Sequence, residues 1–299
     1  MPYRMVDQVN DSTFFGFIAD IAADDSLILF LDHANKRLIV CDHQFKLINF
    51  IGRAGKGPGE IQYPSEIFIK NGCYFVRDNL ELKKYSRDGT YLGSVDTKTN
   101  LAATFTIDNA GNYYVYSGVY SSLPILVIDK NNKPTNSIGV KYQAPGNNRQ
   151  QFWFQSRNLF ITNKNQLLSV GTSYPSVELY SLDGKLLLTQ QIEEPIILAR
   201  YKKIVENLVK EPDGIGYLYN DIYVNNNRLY ILKTTRIDKK MVSYLFVWNI
   251  SSGKIIPTHR YKLKMNDEKE PSFDKMCLLN DSTLMVSEMN SMSLCFFQL

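Results

Sequence analysis

The sequence predicts an all-β fold, a six-bladed β-propeller with four-stranded antiparallel blades. Three observations carry that expectation. A strand–turn–strand unit occurs five times along the 299 residues, and a second such unit occurs six times between its copies. The 19 Tyr and 16 Phe suit pleated, half-buried surfaces. Blades of four strands that repeat every ~40–50 residues mark a propeller.

The first unit is Leu38–Asn49, Leu82–Gly93, Ile125–Lys133, Val177–Leu188 and Leu245–Ile256. Its turns carry Phe45, Gly89, Asn132, Gly184 and Gly253, mostly residue types that tolerate positive φ. The second unit is Ile18–Phe30, Ser65–Val76, Thr104–Tyr116, Asn158–Val170, Asn220–Leu232 and Phe273–Met285. Together they give strands a to d in each blade, counted outward from the axis. The sixth copy ends after strand c, at Leu299. Tyr3–Val9 is then the expected strand d of blade six, closing the ring and removing two sheet edges. A single propeller domain over residues 1–299 follows.

One segment departs from the β pattern. Ile197, Tyr201, Ile204 and Leu208 recur at helical spacing, with Pro195 suited to the first turn and Pro212 and Gly214 suited to a stop. A helix near residues 195–211 is expected between blades four and five.

Composition excludes several classes of function. Thirty-four Lys+Arg against 30 Asp+Glu leave +4, too small a charge for a chain built around nucleic acid. Cys41, Cys73, Cys277 and Cys295 lack the spacing of a zinc site or a disulfide framework and read as buried thiols. Three histidines, His33, His43 and His259, offer little for a histidine-based centre, and neither GxSxG nor HExxH occurs. No apolar run reaches the ~20 residues that span a bilayer. Met1–Asp7 lacks the basic start and apolar stretch of a signal peptide, which fits a cytoplasmic protein or one read after a removed export segment.

Residues 50–69, with the core Gly52-Arg-Ala-Gly-Lys-Gly-Pro-Gly-Glu60, resemble an NHL repeat. More closely, the chain resembles the six-bladed NHL/TolB-like propellers abundant in Bacteroidetes. That resemblance implies the propeller fold and an extracytoplasmic place, in the periplasm or cell envelope, with the full-length form lipid-anchored. It implies no activity, because a fold does not fix function. The glycine-rich core is not a P-loop, since Lys56 is followed by Gly57 and the next element is a strand behind Pro64.

The long connections gather on one face. These are the d–a connections 52–64, 141–157, 193–217 and 264–272, joined there by the b–c turns, His33 among them. Insertions on one face of a repeat array mark a binding face. Candidate ligand contacts on it are Arg53, Arg77, Phe152, Trp153, Phe154, Arg157 and Arg236. The aromatic trio would stack on sugar rings or peptides, or else fill an inter-blade groove.

An alignment of the six inner strands puts Asp20, Glu66, Asp221 and Asp274 in one column, with Phe105 and Leu159 in the other two blades. Four converging carboxylates need compensation, and Ca²⁺ is the cation whose ligand preferences fit. Alternatively these side chains bond backbone amides or Arg53, Arg77 and Arg157. The expected function is a non-catalytic binding or scaffold propeller, a monomer, taking a glycan, peptide or protein on the d–a/b–c face. The alternative is a metal-dependent hydrolase or lyase of the propeller lactonase type. Binding of RNA is a third class, disfavoured by the small net charge.

Overall fold

The computed structural model describes all residues except 1, 11–12, 98–103, 118–121, 144–147, 211–215, 252 and 266–269. Six four-stranded antiparallel sheets follow one another along the chain. Their innermost strands are Ile18–Ala23, Pro64–Lys70, Phe105–Ile107, Arg157–Ile161, Asp221–Asn225 and Phe273–Asn280. Innermost strands touch between blades one and two, three and four, five and six, and six and one, around a central axis. The side chains between blades form the core, and each apolar cluster spans a seam. One such cluster joins Leu29, Leu31 and Leu38 of blade one to Ile67, Tyr74 and Val76 of blade two. The short turns a–b and c–d lie on one face, and the longer d–a connections and b–c turns on the other.

The N-terminal strand closes the ring as the sequence predicts, but over Arg4–Val6 rather than the whole of Tyr3–Val9, since Gln8–Asn10 pairs with Thr13–Phe14. Arg4–Val6 pairs antiparallel with Ser293–Gln298, in the register Arg4↔Phe296, Met5↔Cys295 and Val6↔Leu294. The Arg4 guanidinium lies 4.9 Å from the Phe45 ring centroid and 5.5 Å from that of Phe296, fastening blade six to blade one.

Two helices interrupt the strands, α1 (Asn148–Phe154) and α2 (Pro195–Lys210). The expected helix near 195–211 is α2; the expected stop residues Pro212 and Gly214 lie outside the described residues. Ile197, Ile204 and Leu208 of α2 are buried in the seam between blades four and five. Helix α1 falls in a stretch read from sequence only as a long connection.

The Gly52–Glu60 loop is an inter-blade clip that fills itself. The Glu60 carboxylate accepts the Gly57 amide at 2.8 Å and the Arg53 Nε–H at 2.9 Å. Gly59 has φ 73°, and a Cβ there would meet Tyr91 at 3.0 Å. Asp78, at the end of strand b, accepts the Gln62 and Tyr63 amides and holds the Lys83 ammonium at 2.7 Å.

Candidate functional site

A cavity of about 480 Å³ lies on the axis among the innermost strands. Every blade gives it a polar residue: Asp20, Glu66, Thr104, Asn158, Asp221 and Lys275 are among its lining. A repeated hydrogen bond sets this ring. The Ile67 amide of blade two donates to Asp20 Oδ2 of blade one at 2.8 Å. The Met276 amide of blade six donates to Asp221 Oδ2 of blade five, also at 2.8 Å. The Phe105 amide bonds Glu66 in the same way. The Thr104 hydroxyl donates to the Arg157 carbonyl of the next blade. Asp20, Glu66, Thr104 and Asp221 therefore reach across a seam to the strand that follows, whereas Lys275 reaches back to Asp221 of blade five.

This ring corrects the column expected from sequence. Asp20, Glu66 and Asp221 line the cavity, but Asp274 does not. It borders a small cleft with Gly16, Phe17 and Glu288, and Lys275 takes its place on the axis. Thr104 and Asn158 likewise replace Phe105 and Leu159, whose side chains are buried between blades. In blade six a register shift lies between Phe273 and Met276, the stretch that holds Asp274 and Lys275. A one-residue slip carries a side chain to the other face of a strand.

Lys275 changes the electrostatics. Its ammonium stands 3.9 Å from Asp221 Oδ1. Burial alone would lower its pKa, but the charges of Asp221, Asp20, Asp274 and Glu66 outweigh burial and hold it above the ordinary lysine value. The carboxyls move up. Burial raises Asp20, with Lys275 opposing. Burial raises Asp221 to about 7, again against Lys275. Glu66 reaches about 8 through burial and then repulsion from Asp20, opposed by Arg77 and Lys275. Near neutral pH the ring therefore offers both hydrogen-bond donors and acceptors. Among the described residues, no three His, Cys, Asp or Glu side chains gather closely enough to hold a metal ion. The expected Ca²⁺ set thus loses Asp274, and a lysine supplies the compensating charge.

An aromatic rim guards the cavity mouth on the d–a/b–c face. Tyr217 lines the cavity and is 46% exposed. The Trp153 ring stands edge-on to it, with centroids 6.5 Å apart. Arg200 of α2 donates through Nε to the Tyr217 carbonyl at 3.2 Å. Ala22, Phe68, Phe160 and Tyr223, two residues further along their strands, make the deeper wall less polar.

The other candidates separate by burial. Trp153 is half-buried at the rim. Phe152 is buried against Tyr116, with centroids 5.5 Å apart, and Phe154 is buried against Tyr174 at 5.6 Å. Neither presents a ring to the surface, because α1 turns both inward. Arg157 is also a correction. It is wholly buried, 3.0 Å from Glu178 Oε2, with its guanidinium 4.4 Å from the Tyr142 ring centroid. Arg77 is buried opposite Glu66 in the strand pair, and burial pushes its pKa down to about 10 despite that carboxyl. Arg53 is exposed and bonded to Glu60, and Arg236 is exposed near the tip of the long blade-five hairpin. None of the histidines lines the cavity. His33 Nδ1 lies 2.9 Å from the Pro64 carbonyl and His43 Nε2 lies 2.8 Å from that of Asp24. His259 stacks on Tyr261.

Sequence reasoning missed Lys275 and Tyr217. The buried pair Met276 and Leu278 already implied that Lys275 and Cys277 face the other way. Nothing in sequence marked Tyr217, whose position depends on α2.

Solved structures share this architecture at low identity, which establishes likeness of fold alone. A member of the duf4221 family from Bacteroides vulgatus is 9% identical with a TM-score of 0.63, and the match covers 99% of this chain and 97% of that one. A Bacteroides fragilis protein described as exported is 15% identical with a TM-score of 0.62, covering 93% of this chain and 81% of that one. A catalytically inactive histidine-to-alanine variant of virginiamycin B lyase from Staphylococcus aureus, solved with quinupristin, is 10% identical with a TM-score of 0.56, covering 94% of each chain. No relative was found among curated proteins. Among the described residues, no helix is long and apolar enough to cross a membrane. Residues 8–189 match the model of one family, described as a 6-bladed beta-propeller, and the chain belongs to that family, DUF5128.

Proposed function

We propose that the chain is a non-catalytic binding propeller that takes the polar end of a saccharide into its axial cavity through the d–a/b–c face. One observation carries this reading: six blades each contribute a polar side chain to a single cavity whose mouth bears Tyr217 and Trp153. Carboxyl, amide and hydroxyl groups match sugar hydroxyls in both hydrogen-bonding senses, and aromatic faces stack on pyranose rings. Lys275, standing where the fourth carboxylate was expected, favours this over a metal-dependent hydrolase or lyase. The lyase resemblance extends to fold only, and His33, His43 and His259 all lie off the cavity wall. Likeness to an exported Bacteroides protein supports an extracytoplasmic site of action.

The test is calorimetry and thermal melting against a panel of neutral, acidic and amino saccharides. At least one should bind the wild type and lose most of its affinity in Tyr217→Ala and Asn158→Ala, with little change in melting. Binding of no saccharide, or equal binding by both variants, would overturn the proposal. A peptide or protein that binds in place of sugars and is sensitive to Trp153→Ala would support the scaffold reading instead.

A further inference from the structure

Blade five concentrates positive charge that the chain as a whole does not carry. Residues 228–264 hold nine lysines and arginines and one aspartate. Carried on to residue 270, which brings in Asp267, Glu268, Lys269 and Glu270, the balance is ten to four. That stretch is more positive than the entire chain, whose formal charge is +4.

Strand register gathers much of this charge on one flank. The outer strand, Ile255–Leu263, sets Arg260 opposite Phe246 and Lys262 opposite Tyr244 of the third strand, Lys240–Ile250. Buried Leu263 and Met265 pack toward blade six, so the exposed Lys262 and Lys264 point the other way. Alternate residues on a strand stand about 6.5 Å apart, which makes Arg260, Lys262 and Lys264 an even row. At one end of the row the blade-five hairpin runs on. Its pairs Thr235↔Val242, Arg236↔Met241 and Ile237↔Lys240 lie past the last rungs of both flanking strands, Asp221↔Leu232 and Ser243↔Leu263. Arg236, Lys239 and Lys240 are exposed on that extension. At the other end, Arg260 stands 3.6 Å from Glu194, just before α2, with its guanidinium 4.6 Å from the Tyr244 ring centroid.

We infer that this flank of blade five is a docking track for an acidic polysaccharide chain. A row of exposed cations along a strand suits a linear polyanion, which can pair with them in succession. A bilayer is flat and would meet the hairpin tip alone, leaving Lys262 and Arg260 unused further down. Single-stranded nucleic acid is gripped by aromatic rings open to its bases. Here Arg260 covers Tyr244, and Tyr261 stacks on His259 with centroids 5.7 Å apart. The track is independent of the saccharide reading of the axial cavity, since none of its residues lines that cavity.

The test titrates polygalacturonate into the full chain by calorimetry, with uncharged dextran as the control that should not bind. Affinity should fall roughly tenfold or more as salt rises from about 50 to 200 mM, because several counterions are displaced. Lys262→Glu combined with Lys264→Glu should weaken binding roughly tenfold and flatten that salt dependence. Melting should be unchanged, because both side chains are exposed. Arg228→Glu combined with Lys254→Glu makes the same change in net charge at the far end of the blade, well beyond a Debye length. That variant should bind within about twofold of wild type. No binding of polygalacturonate, or equal losses in the two double variants, would overturn the track. So would tighter binding of oligothymidylate or of phosphatidylglycerol vesicles than of polygalacturonate.

Discussion

The Asp221 carboxylate and the Lys275 ammonium face each other 3.9 Å apart across the seam between blades five and six. The other Asp221 oxygen accepts the Met276 amide at 2.8 Å, so one aspartate ties a side chain and a backbone group of the next blade. This pair is also where axial charge is balanced. With Asp20 and Glu66 nearby, Lys275 is the cation that permits three carboxyls in one cavity.

Lys275→Met should therefore destabilise the protein by ~1–3 kcal/mol, below the full cost of breaking a buried pair because both side chains retain some exposure. The loss should be larger at pH 8 than at pH 5, where the raised carboxyls are already protonated. Adding Asp221→Asn should recover part of it. Urea unfolding at the two pH values measures this, and equal losses at both would contradict the assigned charge balance.

Ring closure gives a second expectation. Deleting residues 2–7 removes the ladder to Ser293–Gln298 and the Arg4 contacts with Phe45 and Phe296. At ~0.5–1.5 kcal/mol for each hydrogen bond lost, the deletion should cost ~3 kcal/mol or more. Exchange of the Ser293–Gln298 amides should quicken before that of the other blades. A truncated chain that melts like the full one would show that the strand does not fasten the ring.

The Arg157–Glu178 pair supports a third. Both side chains are buried, Tyr180 donates its hydroxyl to Glu178 Oε2 at 2.7 Å, and Arg157 donates to the Val140 carbonyl at 2.7 Å. Glu178→Ala should cost ~3–5 kcal/mol, because it strands a buried guanidinium. Thermal or denaturant melts check this directly. A loss below ~1 kcal/mol would mean that water replaces the carboxylate without difficulty.

The blades were legible in the sequence because strand alternation and turn chemistry are local signals. Helix α2 was legible because Ile197, Ile204 and Leu208 keep one periodicity over about three turns. The site was legible only in part. Asp20, Glu66 and Asp221 could be placed on the axis, but Asp274 could not be told from Lys275, since a bulge at the strand start changes which of two neighbours faces inward. Arg157 and Phe154 looked like surface groups because they lie in a long connection. Their burial depends on α1, and on partners such as Tyr142 and Glu178 that the fold brings in from elsewhere.

The raised carboxyls give the last expectation, and its sign follows from proton counting. Glu66 titrates near 8 and Asp221 near 7 in the folded chain, both raised first by burial. In the unfolded chain both return to the ordinary carboxylate range near 4. Between pH ~4 and ~8 the folded state therefore binds more protons than the unfolded state, and stability falls as pH rises through that window. Lys275 does not oppose this trend, because its raised pKa acts only above the ordinary lysine value. Glu66→Gln removes one of the groups that take up a proton. Its melting temperature should fall less steeply than wild type between pH 5 and 8, so that the two curves diverge by a few degrees at pH 8, with the variant higher. One group fully shifted contributes at most ~1.4 kcal/mol per pH unit, and the partial exposure of Glu66 reduces that. Coupling among Asp20, Glu66 and Asp221 spreads the effect over the set, so the slope is the quantity to compare. Parallel curves across pH 5–8 would mean that Glu66 is already ionised at pH 5 and that burial does not govern the axial ring.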